Sequence, residues 1–267
     1  MQGARRAQIW RYAPQYRRPR HFHAEPELNL IVAGTGRFGT GDAVLEVEAR
    51  DLLCWPPGCD HELLEVSADF DLYVVALTPE LSARVLGPSS AKILSGPARV
   101  QLPPPIFSRL LAASLTPVAE LEAVVVESHV ADLWRCAHAA RGSVVNEPNL
   151  GRRVLTSLLE EPDLPRDDRA RLVCAHPTEL SRHFRRDMGS TLTEYRTRLR
   201  LLRLIERVDS GSNMLVAALE AGFGSYSQCH RAFTRAFGCT PRRFFGSDLR
   251  REMLEAFAPS SSFSDNI

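Results

Sequence analysis

Between residues 27 and 77 the apolar positions come in short runs, ELNLIVAGTGRF, AVLEVEARDLLCW and DLYVVAL, separated by Gly-Thr-Gly, Gly-Thr-Gly-Asp and Pro-Pro-Gly turns. Apolar and polar residues alternate through much of them. A period of two puts every second side chain on a buried face, so this stretch predicts the antiparallel strands of a small barrel or jelly roll. After Leu86-Gly-Pro-Ser-Ser and Leu102-Pro-Pro-Pro105 the strands cease, and Ile106 to Leu115 and Val118 to Ala140 read as helices. In the second of these, Ala119, Ala123, Val126, Val130, Leu133, Ala137 and Ala140 follow at steps of four and three, an a/d-like seam. The seam would pair with the same helix of a second copy or pack on the chain's own barrel. Closed two-fold assemblies are the commonest, which favours a homodimer. Gly142 to Gly151 reads as a hinge.

Beyond residue 150 the period lengthens to that of helices, and the chain repeats itself. Displacement by 49 residues lays Arg182 on Arg231, Phe184 on Phe233, Arg186 on Arg235, Gly189 on Gly238 and Thr191 on Thr240, with Met188 and Tyr195 meeting Phe237 and Phe244. In the second copy, Leu215, Ala218, Leu219 and Gly222 suggest a short helix, and Phe223-Gly224-Ser225 a turn with an N-cap serine. A second helix follows, with Cys229, Ala232, Phe233, Ala236 and Phe237 at helical spacing before Gly238 stops it. In the first copy Asp167 to Val173 lead and Ala175-His176-Pro177 turn the chain. Leu180, His183, Phe184 and Met188 then mark the inner face of the next helix. Between the copies, Thr191-Leu-Thr-Glu194 is a capping box opening a helix that carries Leu199, Leu202, Leu204 and Ile205 to about Asp209-Ser-Gly-Ser.

Helix, tight turn, helix is the geometry that presents the outer N-terminal half of its second helix to base edges in the major groove. The outward positions are Thr178, Glu179, Ser181, Arg182 and Arg185 in the first copy, and Tyr226, Ser227, Gln228, His230 and Arg231 in the second. These hydrogen-bonding side chains suit base reading, and arginine suits guanine. Phe184, Phe233, Phe237, Ala217 and Ala221 belong to the core. Arg186 and Arg235 fit an ion pair as well as a phosphate contact. Two such helices held by one long helix would enter successive major-groove segments roughly 34 Å apart.

Charge sharpens this picture. The formal net charge is only +1. However, residues 1–149 hold 14 Lys+Arg against 17 Asp+Glu, residues 150–251 hold 19 arginines against 12 acids, and the remainder holds three acids and no base. A basic half joined to a weakly acidic one suggests a polyanion binder coupled to a module with another task. No apolar run approaches the roughly 20 residues a membrane span needs. The six cysteines show no C-x-x-C pair, which fits reduced thiols and a cytoplasmic location.

The segment from about Leu158 to Phe245 resembles the paired helix-turn-helix domain of the AraC/XylS family of bacterial transcription regulators, above all in ALEAGFGSYSQCHRAFTRAFGCTPRRFF. Cys174 and His176 depart from it, standing where a glycine and a serine cap are usual. The N-terminal half is similar to a cupin. His21-Phe-His23-Ala-Glu-Pro-Glu27, followed by Gly34, keeps the first cupin motif, and Pro56-Pro-Gly58-Cys-Asp-His61 keeps the second. Arg50 and Glu65 replace that second motif's glycine and asparagine. His21, His23 and Glu27 would share a strand face and His61 arrive from a neighbouring strand, a set able to hold a first-row divalent ion with open positions or to serve as hydrogen-bonded lining. Trp10, Trp55 and Tyr73 are candidates for the lining of a ligand mouth, or core. Arg17-Arg18-Pro-Arg20 reads as an N-terminal arm or a solvated terminus.

The expectation is therefore an α+β multidomain chain. An N-terminal antiparallel β-barrel of cupin or jelly-roll type (1–105) precedes a helical linker and dimerisation element (106–150). A C-terminal all-α domain with two helix-turn-helix motifs (151–250) precedes an acidic, disordered tail (251–267). Its function would be sequence-specific binding of double-stranded promoter DNA under a small-molecule effector held in the barrel. Family resemblance implies RNA polymerase as a further partner and no catalysis, with a divalent metal in the barrel the one candidate cofactor. The competing class is a metal-dependent cupin oxygenase or isomerase with an appended helical domain. A third is a nucleoid-type binder without an effector.

Overall fold

The computed structural model describes residues 7–12, 20–77, 81, 97–115, 128, 130–135 and 150–246. Among these residues eight strands are found: β1 (Ala7–Tyr12), β2 (Glu27–Ala33), β3 (Thr35–Thr40), β4 (Ala43–Glu48), β5 (Asp51–Trp55), β6 (Glu62–Val66), β7 (Asp71–Leu77) and β8 (Ala98–Gln101). They form two antiparallel sheets, one in the order β1-β7-β2-β5-β8 and one in the order β4-β3-β6. The larger sheet is covered on both faces. Leu52 and Cys54 of β5, with Leu28, Leu30, Tyr73 and Val75, pack on Leu110, Val130, Leu133 and Trp134. Leu53 and Trp55 of the same strand face the other way, with Ile31, Leu72 and Val74, toward Phe38 and Val47 of the smaller sheet. Burial on both sides is why DLLCW and DLYVVAL read as continuous apolar runs.

Two expectations change here. Three edge strands, β1 and β8 of the larger sheet and β6 of the smaller, fall outside the predicted runs, since AQIWRY, ELLEV and ARVQ mix polar side chains with few buried ones at an edge that has one neighbour. Val130 and Leu133, the two seam positions among the described residues, lie in the chain's own core and are closed to a second subunit. Trp55 and Tyr73 are buried in the core, which agrees with the core alternative given for them. Other seam positions, the proposed hinge, most of the N-terminal arm, the Trp10 side chain and the acidic tail lie outside the described residues.

The helices are α1 (Pro104–Leu115), α2 (Leu150–Glu160), α3 (Arg166–Leu172), α4 (Pro177–Met188), α5 (Leu192–Asp209), α6 (Met214–Glu220), α7 (Tyr226–Phe237) and α8 (Pro241–Gly246). Packing divides the chain inside α5, between Leu199 and Arg200, and not at the change from strands to helices near residue 150. The reason is that α2 to α4 share a core with the sheets: Val154, Leu155, Leu158, Leu180, Phe184 and Tyr195 join Trp55 and Phe38 in one cluster. Arg169 is buried in this unit because its guanidinium donates to Ser157 Oγ and to the carbonyls of Glu161 and Leu164, which replace the water it loses. In the second unit Leu201, Leu204, Ala217, Ala218, Ala221, Cys229, Phe233 and Phe244 are buried. Leu215 and Leu219, which with Ala218 marked the short helix, are about half exposed.

The two helix-turn-helix turns differ by one residue. Ala175 N–H bonds Ala170 O as Phe223 N–H bonds Ala218 O, so the leading helices align at a spacing of 48, whereas the caps His176 and Ser225 align at 49. Cys174 thus takes the place of Gly222. Both are left-handed, at φ 51° and 88°, a conformation in which a side chain costs roughly 1–2 kcal/mol. Cys174 is exposed and among the described residues has no packing to offset this. Cys174→Gly is expected to raise stability by about 0.5–1 kcal/mol in thermal unfolding, the relief being partly offset by glycine's greater unfolded entropy.

Candidate nucleic-acid interface and metal centre

Helices α4 and α7 are built alike. In α4, His176 Nδ1 accepts from Thr178 N–H, Pro177 fills the first turn and Gly189 closes the helix at φ 67°. In α7, Ser225 Oγ accepts from Gln228 N–H, Gln228 Oε1 accepts from Gly224 N–H, and Gly238 closes the helix at φ 68°. Leu180, Phe184 and Met188 line the inner face of one, Cys229 and Phe233 that of the other. Before α5, Thr191 Oγ1 accepts from Glu194 N–H while Glu194 Oε2 accepts from Thr191 N–H, the reciprocal pair of a capping box.

The outward positions fall into two groups. Ser181, Arg182, Ser227 and Arg231 are exposed, and no ion pair or hydrogen bond engages their side chains among the described residues. Glu179 is exposed as well, and the other five are engaged within the chain. Thr178 Oγ1 lies 2.7 Å from His176 Nδ1, and Gln228 spends its carbonyl on the cap. Tyr226 and His230 are half-buried with rings 6.2 Å apart, and Arg185 donates to Asp42 at 2.8 and 3.2 Å. Arg186 pairs with neighbouring Asp187, whereas Arg235 is exposed without an ion pair among the described residues.

In the sheet part of the larger unit, His21 and His61 exchange backbone hydrogen bonds at 3.1 and 2.9 Å, which stitches the two sequence motifs together. His21 and His23 precede β2, and His61 precedes β6. One ring nitrogen from each of the three lies within 4.8 Å of the others, and the Glu27 carboxylate reaches His23 Nε2 at 3.2 Å and His61 Nε2 at 3.7 Å. The outer nitrogens are fixed by backbone carbonyls, with His23 Nδ1 2.7 Å from Glu25 O and His61 Nδ1 3.2 Å from Cys59 O. A proton on each Nδ1 leaves the Nε2 lone pairs pointing inward, the arrangement metal-binding imidazoles need.

His61 Nε2 is buried without a hydrogen-bond partner, an orphaned atom that a cation would satisfy. Burial pushes His61 down to about 3, against the pull of Glu27, so it is neutral at pH 7. Burial opposes charge on Glu27 too, but the His23 hydrogen bond, the imidazoles and Asn29 hold its carboxyl below the usual carboxylate range. Asn29 Nδ2 donates to Glu27 at 2.7 Å and its Oδ1 accepts from Trp55 Nε1 at 2.5 Å, while the His61 ring stacks on Trp55 at 4.7 Å. One neutral imidazole, two more beside it and a carboxylate, oriented by a second layer of hydrogen bonds, fit a first-row divalent ion. Against burial, Glu27 and Glu25 raise His23, so that a bound cation would have to displace its proton. The residues sequence reasoning missed are Asn29 in that layer and Asp60 and Asp42 in the loops nearby. A lone acid in a loop carries no periodic signal, and a single buried amide such as Asn29 in β2 looks like any polar position of an alternating strand.

Among the described residues no helix is long and apolar enough to cross a membrane. A family model described as an AraC-like ligand binding domain matches residues 3–134, and one described as a helix-turn-helix domain matches residues 169–247. A comparison with curated proteins gives no match. Among solved structures, ToxT from Vibrio cholerae is similar at 10% identity and a TM-score of 0.46, over 90% of this chain and 97% of that one. The AraC-like transcriptional activator CuxR is similar at 14% identity and 0.36, over 80% and 78%. Oxalate decarboxylase of Bacillus subtilis is similar at 20% identity and 0.22, over 44% and 28%. The two family models follow one another in order and take in most of the residues, and the chain belongs to the AraC/XylS family of helix-turn-helix transcription regulators.

Proposed function

We propose that this regulator reads a promoter through Ser181, Arg182, Ser227 and Arg231, and that its effector is a divalent first-row metal ion held by His21, His23, Glu27 and His61. One observation supports the effector class above the others: His61 Nε2 is buried, neutral and unpartnered, facing a carboxylate held charged. A nearly closed set of this kind has room for an ion sooner than for a large organic ligand. The barrel acts as a receptor and not as an enzyme. Metal binding changes transcription only through its preference for one conformation of the chain over another. Contact with RNA polymerase, a cytoplasmic location and a homodimer complete the reading. With Val130 and Leu133 in the chain's own core, the dimer would use other surfaces.

Protein purified without a histidine tag and equilibrated with Zn(II) or Mn(II) is expected to retain about one ion per chain, and His61→Ala to lose it. The duplex affinity of the wild type, and not of His61→Ala, should respond to a chelator. Substoichiometric metal together with an unchanged chelator response would remove the metal reading. Metal-dependent turnover of a carboxylic acid or sugar substrate would instead favour the cupin enzyme.

A further inference from the structure

The first helix-turn-helix is docked on the barrel within the larger unit, and several positions where it differs from the second copy lie at that contact. Gly41, in the β3–β4 turn, and Gly189, the cap of α4, meet backbone to backbone, with Asp42 N–H donating to Gly189 O at 2.6 Å. Both are left-handed, and a Cβ on Gly41 would fall 1.9 Å from Gly189 O. Gly238, the matching cap of α7, has nothing within 4 Å of such a Cβ.

Arg185, which pairs with Asp42, corresponds to Thr234, and Tyr195, whose hydroxyl donates to Pro57 O at 2.5 Å, corresponds to Phe244. Arg185 and Tyr195, both reaching the barrel, thus carry polar groups that the second copy lacks at the matching positions. A third tie leads back to the effector site. Asp60, buried and next to His61, bonds Arg198 of α5 through one oxygen at 2.5 Å and Arg20 and Gly41 N–H through the other at 3.1 and 3.2 Å.

We propose that these barrel loops form an autoinhibitory clasp, in which Asp42 competes with DNA phosphate for Arg185 while the Tyr195 and Asp60 bonds hold the first reading head against the sensor. The Asp42–Arg185 pair is exposed on both sides and therefore weak enough for a duplex to displace. The loop that carries the Asp60 and Pro57 contacts also carries His61, which places the clasp where effector binding would be felt. The inference rests on the first helix-turn-helix being a DNA reader.

The test uses the full chain and a duplex recovered by selection from random-sequence DNA, with affinity measured over a range of salt. Asp42→Asn should tighten binding about 2- to 5-fold, the scale of an exposed ion pair. It should also steepen the slope of log affinity against log salt by about 0.9, one added phosphate contact. Arg185→Ala placed on Asp42→Asn should remove both gains. Tyr195→Phe, which keeps the packed ring and copies the second repeat, should tighten binding in the same direction. Unchanged affinity and slope in both Asp42→Asn and Tyr195→Phe, in a protein that still binds its duplex, would overturn the clasp alone. A wild-type protein that binds no duplex would overturn the DNA-reading assignment with it.

Discussion

Phe233→Ala should destabilise the second helix-turn-helix by about 3–5 kcal/mol, the usual cost of removing a buried phenylalanine. Phe233 is fully buried and packs against Phe237, Phe244 and Phe245 at 4.5, 5.2 and 5.9 Å between ring centroids. Truncation takes the centre out of this aromatic cluster, and a unit this small has few other contacts with which to close the void. Domains are stable by only about 5–15 kcal/mol. The loss should therefore appear as a lowered unfolding transition, by at least about 12 °C if 1 kcal/mol shifts a small domain by about 4–8 °C, with strand signals of the sensor retained. Phe233→Leu should cost far less. Phe184, at the repeated position, stacks edge-on with Tyr195 at 5.6 Å within a cluster that extends into the sheets, so its loss should lower the transition of the larger unit instead. A Phe233→Ala protein melting like the wild type would refute the assignment of this ring to the core.

Arg231→Ala should weaken binding to a cognate duplex by about 1–3 kcal/mol, roughly 5- to 150-fold, without altering the fold. The side chain is exposed, free of intrachain ion pairs among the described residues, and two turns into a helix capped by Ser225 and Gln228. A guanidinium placed so meets guanine O6 and N7 through two parallel hydrogen bonds. The loss should vanish on duplexes in which that one base pair is already changed. Arg182, its repeat partner, should behave likewise at a second position. Equal weakening on every sequence would identify Arg231 as a phosphate contact.

The repeat was legible because each of its parts has a local signal: apolar inner positions at helical spacing, a capping residue, and a glycine that alone accepts the left-handed cap. The three histidines were legible through motif spacing, and the structure brings them together with Glu27. What could not be read was long-range. Nothing local in Val154, Leu158 or Tyr195 says that they bury against Trp55 and Phe38, so the packing boundary inside α5 had no sequence sign. The strands β1 and β8 escaped because each has one neighbour and, among the described side chains, puts a single buried apolar residue, Ile9 or Val100, among polar ones, too few to show a period. Arg50, which breaks the second cupin motif, shows a related limit: it sits left-handed at φ 74° in the glycine's place, so the turn survives the substitution at a conformational cost that the sequence leaves unseen.

Selection of bound duplexes from random-sequence DNA at physiological ionic strength is the most direct test of the regulator as a reader of sequence. Two reading heads of unlike surface predict enrichment of one asymmetric site with two specified segments, each lost when Arg182 or Arg231 is replaced. Recovery of duplexes with no shared base preference would contradict the account and leave only the nucleoid-type binder.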